Sequence, residues 1–265
     1  MMNKPIASMA IASMALLMPH PVLAQQEEAE EQHRPFLQSI GAAMASEVRT
    51  EDERARDANR LPVETLDFFG LDETMTVIEL IPGGGWYTKL LAPVLREEGK
   101  LYVSIAAGRV AGSEFFGQAP FDRIEVLEPE LEIVPDEESG LVAIKPFDFG
   151  VDNVDAVLTF RNLHNLNAEG RASMNQAAFD ALKPGGVYGV VDHTRRHMQP
   201  DEPENRRRVD PVLMIREIQA AGFEFEDYSD LHYRLDDELR YEVGRKTVTG
   251  NTDRFTFRFR KPGGD

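Results

Sequence analysis

Val77-Ile-Glu-Leu-Ile-Pro-Gly-Gly-Gly-Trp-Tyr-Thr88 decides how the chain is read. Its first part, Thr76 to Ile81, is apolar and β-branched, which predicts a buried strand. Three glycines follow, Gly83 to Gly85, and then a run with helical character, Trp86 to Glu98. Strand, glycine turn and helix form the entry to a doubly wound α/β sheet, where ligands bind beyond the carboxyl ends of the strands. Glycine reaches backbone angles that other residues avoid. It also lets a ligand lie against bare main chain at the start of a helix.

The residues around the turn narrow the ligand. A P-loop needs Gly-Lys-Ser/Thr, and Thr88-Lys89 runs in the reverse order. A dinucleotide fingerprint needs a third glycine, where Thr88 stands. What remains is an acid, three residues, Gly, any residue, Gly, from Glu79 to Gly85. This resembles the first motif of class I S-adenosylmethionine-dependent methyltransferases. The wording from Pro82 to Thr88 also resembles a group of predicted methyltransferases among exported bacterial proteins.

Further along, Val154 to Phe160 predicts a second buried strand, closed by the polar loop Arg161-Asn-Leu-His-Asn165. Ala168 to Leu182 predicts a helix stopped by Lys183-Pro-Gly-Gly186, after which come a strand, Val187 to Val191, and then Asp192-His193. Asp210 and Pro211 open another helix that Gly222 ends. Phe223 to Tyr228 is a further strand candidate. Asp253 to Arg260 alternates, with Phe255, Phe257 and Phe259 on one face. This order resembles the second half of the same methyltransferase fold, from about Leu66 to Pro262. The expectation is one α/β domain over residues 66–265, a mostly parallel sheet with an antiparallel last strand. Residues 25–65 precede it as an acidic spacer and helices, read either as a cap or as a lid over the site.

The resemblance implies S-adenosylmethionine as cofactor and a small-molecule acceptor. It places the methionine end of the cofactor against Glu79, Pro82, Gly83, Gly84, Gly85, Trp86 and Thr88, with Asp148 and Asn162 as further contacts. The chain departs from the pattern twice. Ile81 replaces a small residue, and Ala106-Ala107-Gly108-Arg109 follows the second strand where an acid for the ribose hydroxyls is expected; Glu114 is the nearest substitute. His164 and His193 follow strands, and histidine as a residue type exchanges protons near neutral pH, so both are candidate bases, with Asp192 to orient either. Their spacing does not define a metal site, and none is expected.

Composition sets the outer bounds. The chain has 265 residues, 42% of them apolar, enough for a full core. There is no cysteine, which excludes disulfides, thiol nucleophiles and thiolate metal sites. Lys4, the apolar run Ile6 to Met18 and Val22-Leu-Ala24 predict a cleaved leader over residues 1–24 and export. Pro19 and Pro21 cut the run short of a membrane span. A net charge of −17 opposes nucleic acid and anionic membrane and points to neutral or cationic substrates.

Overall fold

A computed structural model describes residues 35–263. The expected leader and the spacer through His33 lie outside the described residues. Phe36–Asp265 forms one compact unit. The helices that the sequence reading sets apart therefore belong to it. These are α1 (residues 35–44), α2 (Glu51–Arg54), α3 (Asp57–Arg60) and α4 (Pro62–Phe68). Phe36, Ile40 and Leu66 are fully buried with Leu90, Val103 and Leu158 in one apolar cluster.

The glycine-bearing stretch folds as read. Strand β1 (Thr76–Leu80) runs into the turn, and helix α5 (Thr88–Leu95) follows. Pro93 lies inside α5. Strand β2 (Lys100–Ser104), the single-turn α6 (Gly108–Ala111) and β3 (Glu125–Leu127) come next. A small antiparallel pair, β4 (Ile133–Pro135) and β5 (Val142–Ile144), stands apart from the main sheet. Strand β6 (Val154–Phe160), helix α7 (Ala168–Ala181) and strand β7 (Leu182–His193) continue it. Helix α8 (Pro211–Ala220) begins as read, with the Asp210 carboxylate accepting from the N–H groups of Val212 and Leu213. Strands β8 (Glu224–Ser229) and β9 (Arg254–Arg260) complete the chain.

The main sheet has seven strands in the order β3-β2-β1-β6-β7-β9-β8. Strands β1, β2, β3, β6 and β7 are parallel, and β9 is antiparallel to both neighbours. The last strand in sequence thus lies inside the sheet, and β8 forms the edge. Both faces of β9 are covered, one by α8 and the other by α3, α4 and the His232 segment. Phe255, Phe257 and Phe259 pack with Met214 and Ile218 of α8 in a second apolar cluster, while Arg254 and Thr256 on the opposite face are buried as well.

The chain passes outward from β1 to β2 on one side, and β6 lies on the other. The carboxyl ends of β1 and β6 therefore flank the point where strand order reverses, the place where such sheets hold ligands. Three strands end there in left-handed backbone without glycine: Ile81 has φ 49°, Ile105 φ 61° and Arg161 φ 65°. A β-branched residue in that region is strained, and strain of this kind concentrates at ligand sites. Among the described residues, no helix is long and apolar enough to cross a membrane.

Candidate functional site

A cleft of about 200 Å³ opens at this reversal point. Its floor is the end of β1 and the turn, Glu79 to Gly84. Trp86, Tyr87 and Phe160 line it with Arg161 and Asn162 after β6. Glu53, Arg56 and Arg60 of the N-terminal helices also line it. Those helices pack on the domain and contribute Glu53, Arg56 and Arg60 to the cleft wall.

Specific bonds hold that wall. Trp86 Nε1 donates to the Glu53 carbonyl at 2.9 Å. Lys89 Nζ reaches both carboxylate oxygens of Glu53 at 3.0 Å, and Thr50 and Glu53 form a reciprocal cap. The Arg60 guanidinium lies 4.3 Å from the Trp86 ring centroid. From the far side, His232 Nε2 donates to the Arg60 carbonyl at 3.0 Å. His232 Nδ1 is then the acceptor for the Thr256 hydroxyl, at 2.6 Å. Burial lowers the His232 pKa to about 4, which keeps that neutral tautomer.

The three glycines divide. A Cβ on Gly83 or Gly84 would meet nothing within 4 Å, and both line the cleft. Gly85 faces the other way: a Cβ there would lie 3.0 Å from Phe115 and 3.3 Å from Val110, and its φ is +81°. Gly85 thus serves the turn and the core, and it is not among the lining residues. Thr88 is fully buried and also lies outside the lining; its hydroxyl donates to Glu79 Oε2 at 2.6 Å. Burial raises the Glu79 carboxyl to about 7, with Thr88 and Arg60 opposing the rise.

The remaining expected residues separate into three places. Asn162 lines the cleft, and its Nδ2 is pinned by the Leu80 carbonyl at 3.0 Å. Asp148 is exposed, accepts from the Gly150 N–H at 2.6 Å, and borders a different hollow with Asp152 and Asp180. His164, Asp192 and His193 do come together. Asp192 is fully buried and accepts from His164 Nδ1 at 2.5 Å, the His164 N–H at 3.1 Å and the His193 N–H at 2.7 Å. Since the carboxylate only accepts, His164 Nδ1 carries a proton. His193 Nδ1 meets the Thr252 hydroxyl at 2.9 Å, and burial holds its pKa well below the usual value. All three side chains are buried and none is among the cleft-lining residues. Among the described residues, no group of His, Cys, Asp or Glu is arranged to hold a metal ion.

At the end of β2 the departure from the pattern stands. No carboxylate follows Ser104 before Glu114, which is exposed and absent from the cleft lining. The cleft residues that sequence reasoning missed are Glu53, Arg56, Arg60, Leu80, Ile81, Tyr87, Phe160 and Arg161. Arg161 and Phe160 stood beside Asn162 at a strand end, which was the available signal. Arg60 had none, because it sits in a charged stretch without apolar periodicity.

No protein-family model matches the chain, and no curated protein matches it in sequence. Solved structures do. The crystal structure of an S-adenosylmethionine-dependent methyltransferase from Aquifex aeolicus matches with a TM-score of 0.52 and 18% identity, over 78% of this chain and 93% of that one. The [4+2]-cyclase SpnF matches with a TM-score of 0.54 and 16% identity, over 91% and 96%. Human N-acetylserotonin methyltransferase in complex with S-adenosylmethionine matches with a TM-score of 0.50 and 14% identity, over 87% and 57%. With the strand order above, these likenesses establish that the chain has the class I methyltransferase fold.

Proposed function

We propose that the protein is an exported S-adenosylmethionine-dependent methyltransferase acting on a small molecule, of the exported bacterial group that the Pro82–Thr88 wording resembles. One observation carries the reading: Gly83 and Gly84 are bare toward a cleft whose floor holds the Glu79 carboxylate, at the reversal point of this fold. The residues fit the methionine end of the cofactor. Gly83 and Gly84 offer main chain without a side chain in the way, and Glu79 is a counter-charge for an ammonium or sulfonium. When bound, S-adenosylmethionine supplies a methyl group activated by its sulfonium. The protein's part is then to align a nucleophile and exclude water. Trp86, Tyr87 and Phe160 give the cleft rigid walls, with Tyr87 stacked on Phe160 at 3.6 Å. The expected base His164 is held by Asp192, is buried and is not among the cleft-lining residues, so no proton-transfer step is assigned to it.

The second reading is an exported binding protein that keeps the fold without transfer. The missing acid after β2 favours it, as does the presence among its structural neighbours of the [4+2]-cyclase SpnF, since fold does not determine reaction. Calorimetric titration of the mature protein with S-adenosylhomocysteine tests the first reading. Saturable binding is expected, together with turnover when S-adenosylmethionine is supplied with an acceptor. Absence of binding overturns both cofactor and reaction; binding without turnover across acceptor classes favours the second reading. The mass of the exported protein tests the leader, with an N-terminus at or near Gln25 expected.

A further inference from the structure

The cleft and the protein around it carry opposite charge. The chain has a net charge of −17, yet Arg56, Arg60 and Arg161 line the cleft against only Glu53 and Glu79. Both acids are already engaged, Glu53 by Lys89 and by the Thr50 N–H, Glu79 by Thr88. Neither makes a hydrogen bond or an ion pair with Arg60 or Arg161. Arg60 is 5% exposed; its guanidinium stacks on Trp86 and finds no hydrogen-bond acceptor among the described residues. Arg161, half-buried, lines the cleft from a left-handed backbone position that its N–H, donating to the Val191 carbonyl at 2.7 Å, holds in register. Its side chain has no hydrogen bond or ion pair among the described residues. Behind them, Arg254 is buried with its Nε unpartnered and Nη1 on the Asn59 carbonyl.

These charges feel one another. Burial first, and then Arg161, lowers the Arg60 pKa to about 9. Burial first, and next Arg161, lowers that of Arg254 to about 10. Asp192, the acid that acts most on Arg161, is committed to His164 and His193. Unpaired buried charges are costly, and guanidinium groups match planar and tetrahedral oxyanions through paired N–H bonds. An arriving anion relieves the repulsion and fills the vacant donors.

We propose that Arg161, assisted by Arg60, receives an oxyanion of the acceptor, a carboxylate or phosphate, so that the cleft selects small acids. This rests on the methyltransfer reading and reverses the preference for neutral or cationic substrates that the net charge suggested. The same chemistry has a second source in the carboxylate of the cofactor's methionine part, and the test separates the two.

Trp86, the chain's single tryptophan, lines the cleft and reports on binding. Its fluorescence is titrated with benzoate, phenyl phosphate and neutral benzamide, with and without S-adenosylhomocysteine, in the wild type, Arg161→Gln and Arg161→Lys. Separate titrations use S-adenosylhomocysteine and 5′-methylthioadenosine, which lacks the carboxylate. At least one acid should bind about tenfold or more tightly than benzamide. Arg161→Gln should erase that preference, Arg161→Lys should restore part of it, and binding of both nucleosides should change by less than about twofold. Equal binding of acid and amide, or no saturable response to either acid, overturns the proposal. So does a loss in Arg161→Gln that falls on S-adenosylhomocysteine and spares 5′-methylthioadenosine, since the arginine then serves the cofactor. A wild type that binds neither nucleoside sinks the methyltransfer reading, and the acid–amide comparison is still read by itself. A cooperative melt of each variant confirms that it is folded.

Discussion

Two groups of residues follow parallel strands at the same edge of the sheet and end in opposite states. After β1, Gly83 and Gly84 leave the main chain bare to the cleft. After β6 and at the end of β7, His164, Asp192 and His193 close on one another and are buried. The second group holds the side chains that suggest chemistry, yet their polar atoms largely satisfy each other. The first group, with Arg60 and Arg161 opposite, is where space and unused hydrogen-bonding capacity remain. Unsatisfied groups and empty volume locate the ligand better than the reactivity of the side chains does.

The sharpest way to break this comparison lies within the turn itself. Gly85→Val should be the most damaging change, because it meets Phe115 at 3.0 Å and sits at φ +81°. Backbone strain of ~1–3 kcal/mol and overpacking of ~1–3 kcal/mol together predict a loss of roughly 2–6 kcal/mol in denaturant unfolding. Gly84→Val enters open space at an ordinary φ. It should leave stability within about 1 kcal/mol and weaken S-adenosylhomocysteine about tenfold or more. Equal stability of the two variants would show that the division between the glycines is wrong.

Glu79 carries a pH signature that the buried histidine cluster should not mimic. Its carboxyl is raised from 4.5 to about 7, mainly by burial. Between those values the native protein holds a proton that the unfolded chain has released. The contribution of Glu79 is therefore full below 4.5 and is lost as pH rises through about 7. Glu79→Gln should remove that loss. At about pH 8 the variant should be more stable than the wild type by on the order of 3 kcal/mol, with the difference vanishing near about pH 4. A difference that does not change with pH in urea melts would contradict the burial argument.

Asp192→Asn should lower stability less than Gly85→Val does and leave binding alone. An amide has one acceptor oxygen where the carboxylate takes three N–H groups from His164 and His193. Leaving a buried donor without a partner costs ~1–3 kcal/mol. S-adenosylhomocysteine affinity should stay within about twofold, because none of the three residues lines the cleft. A large loss of affinity would move the cluster into the site.

The sheet was legible where local pattern and tertiary role agree. The apolar run before the glycines became β1, and Val154–Phe160 became β6 without a shift in its ends. Alternation in β9 gave the phenylalanine face correctly. It could not show that Arg254 and Thr256 on the other face are buried too, because that depends on the Asn59 and His232 segments packing over them. The site was half legible. Glu79, Pro82, Gly83, Gly84, Trp86 and Asn162 meet at the cleft, but Asp148 lies elsewhere and Gly85 and Thr88 face inward. The arginine wall was hidden for a physical reason. Glu53, Arg56 and Arg60 form a charged stretch that reads as solvated surface, and only the bonds to Trp86, Lys89 and His232 bring it over the cleft.

Those bonds span much of the polypeptide. Arg60 is tied through its carbonyl to His232, 172 residues later, and Asn59 to Arg254, 195 residues later. A wall encoded near the beginning thus takes its seat only after the final strand has joined the sheet. Contacts between such distant segments form late and cooperatively. A chain arrested before β9 lacks Arg254 and Thr256, and with them two of the partners that seat this wall beside the bare glycines.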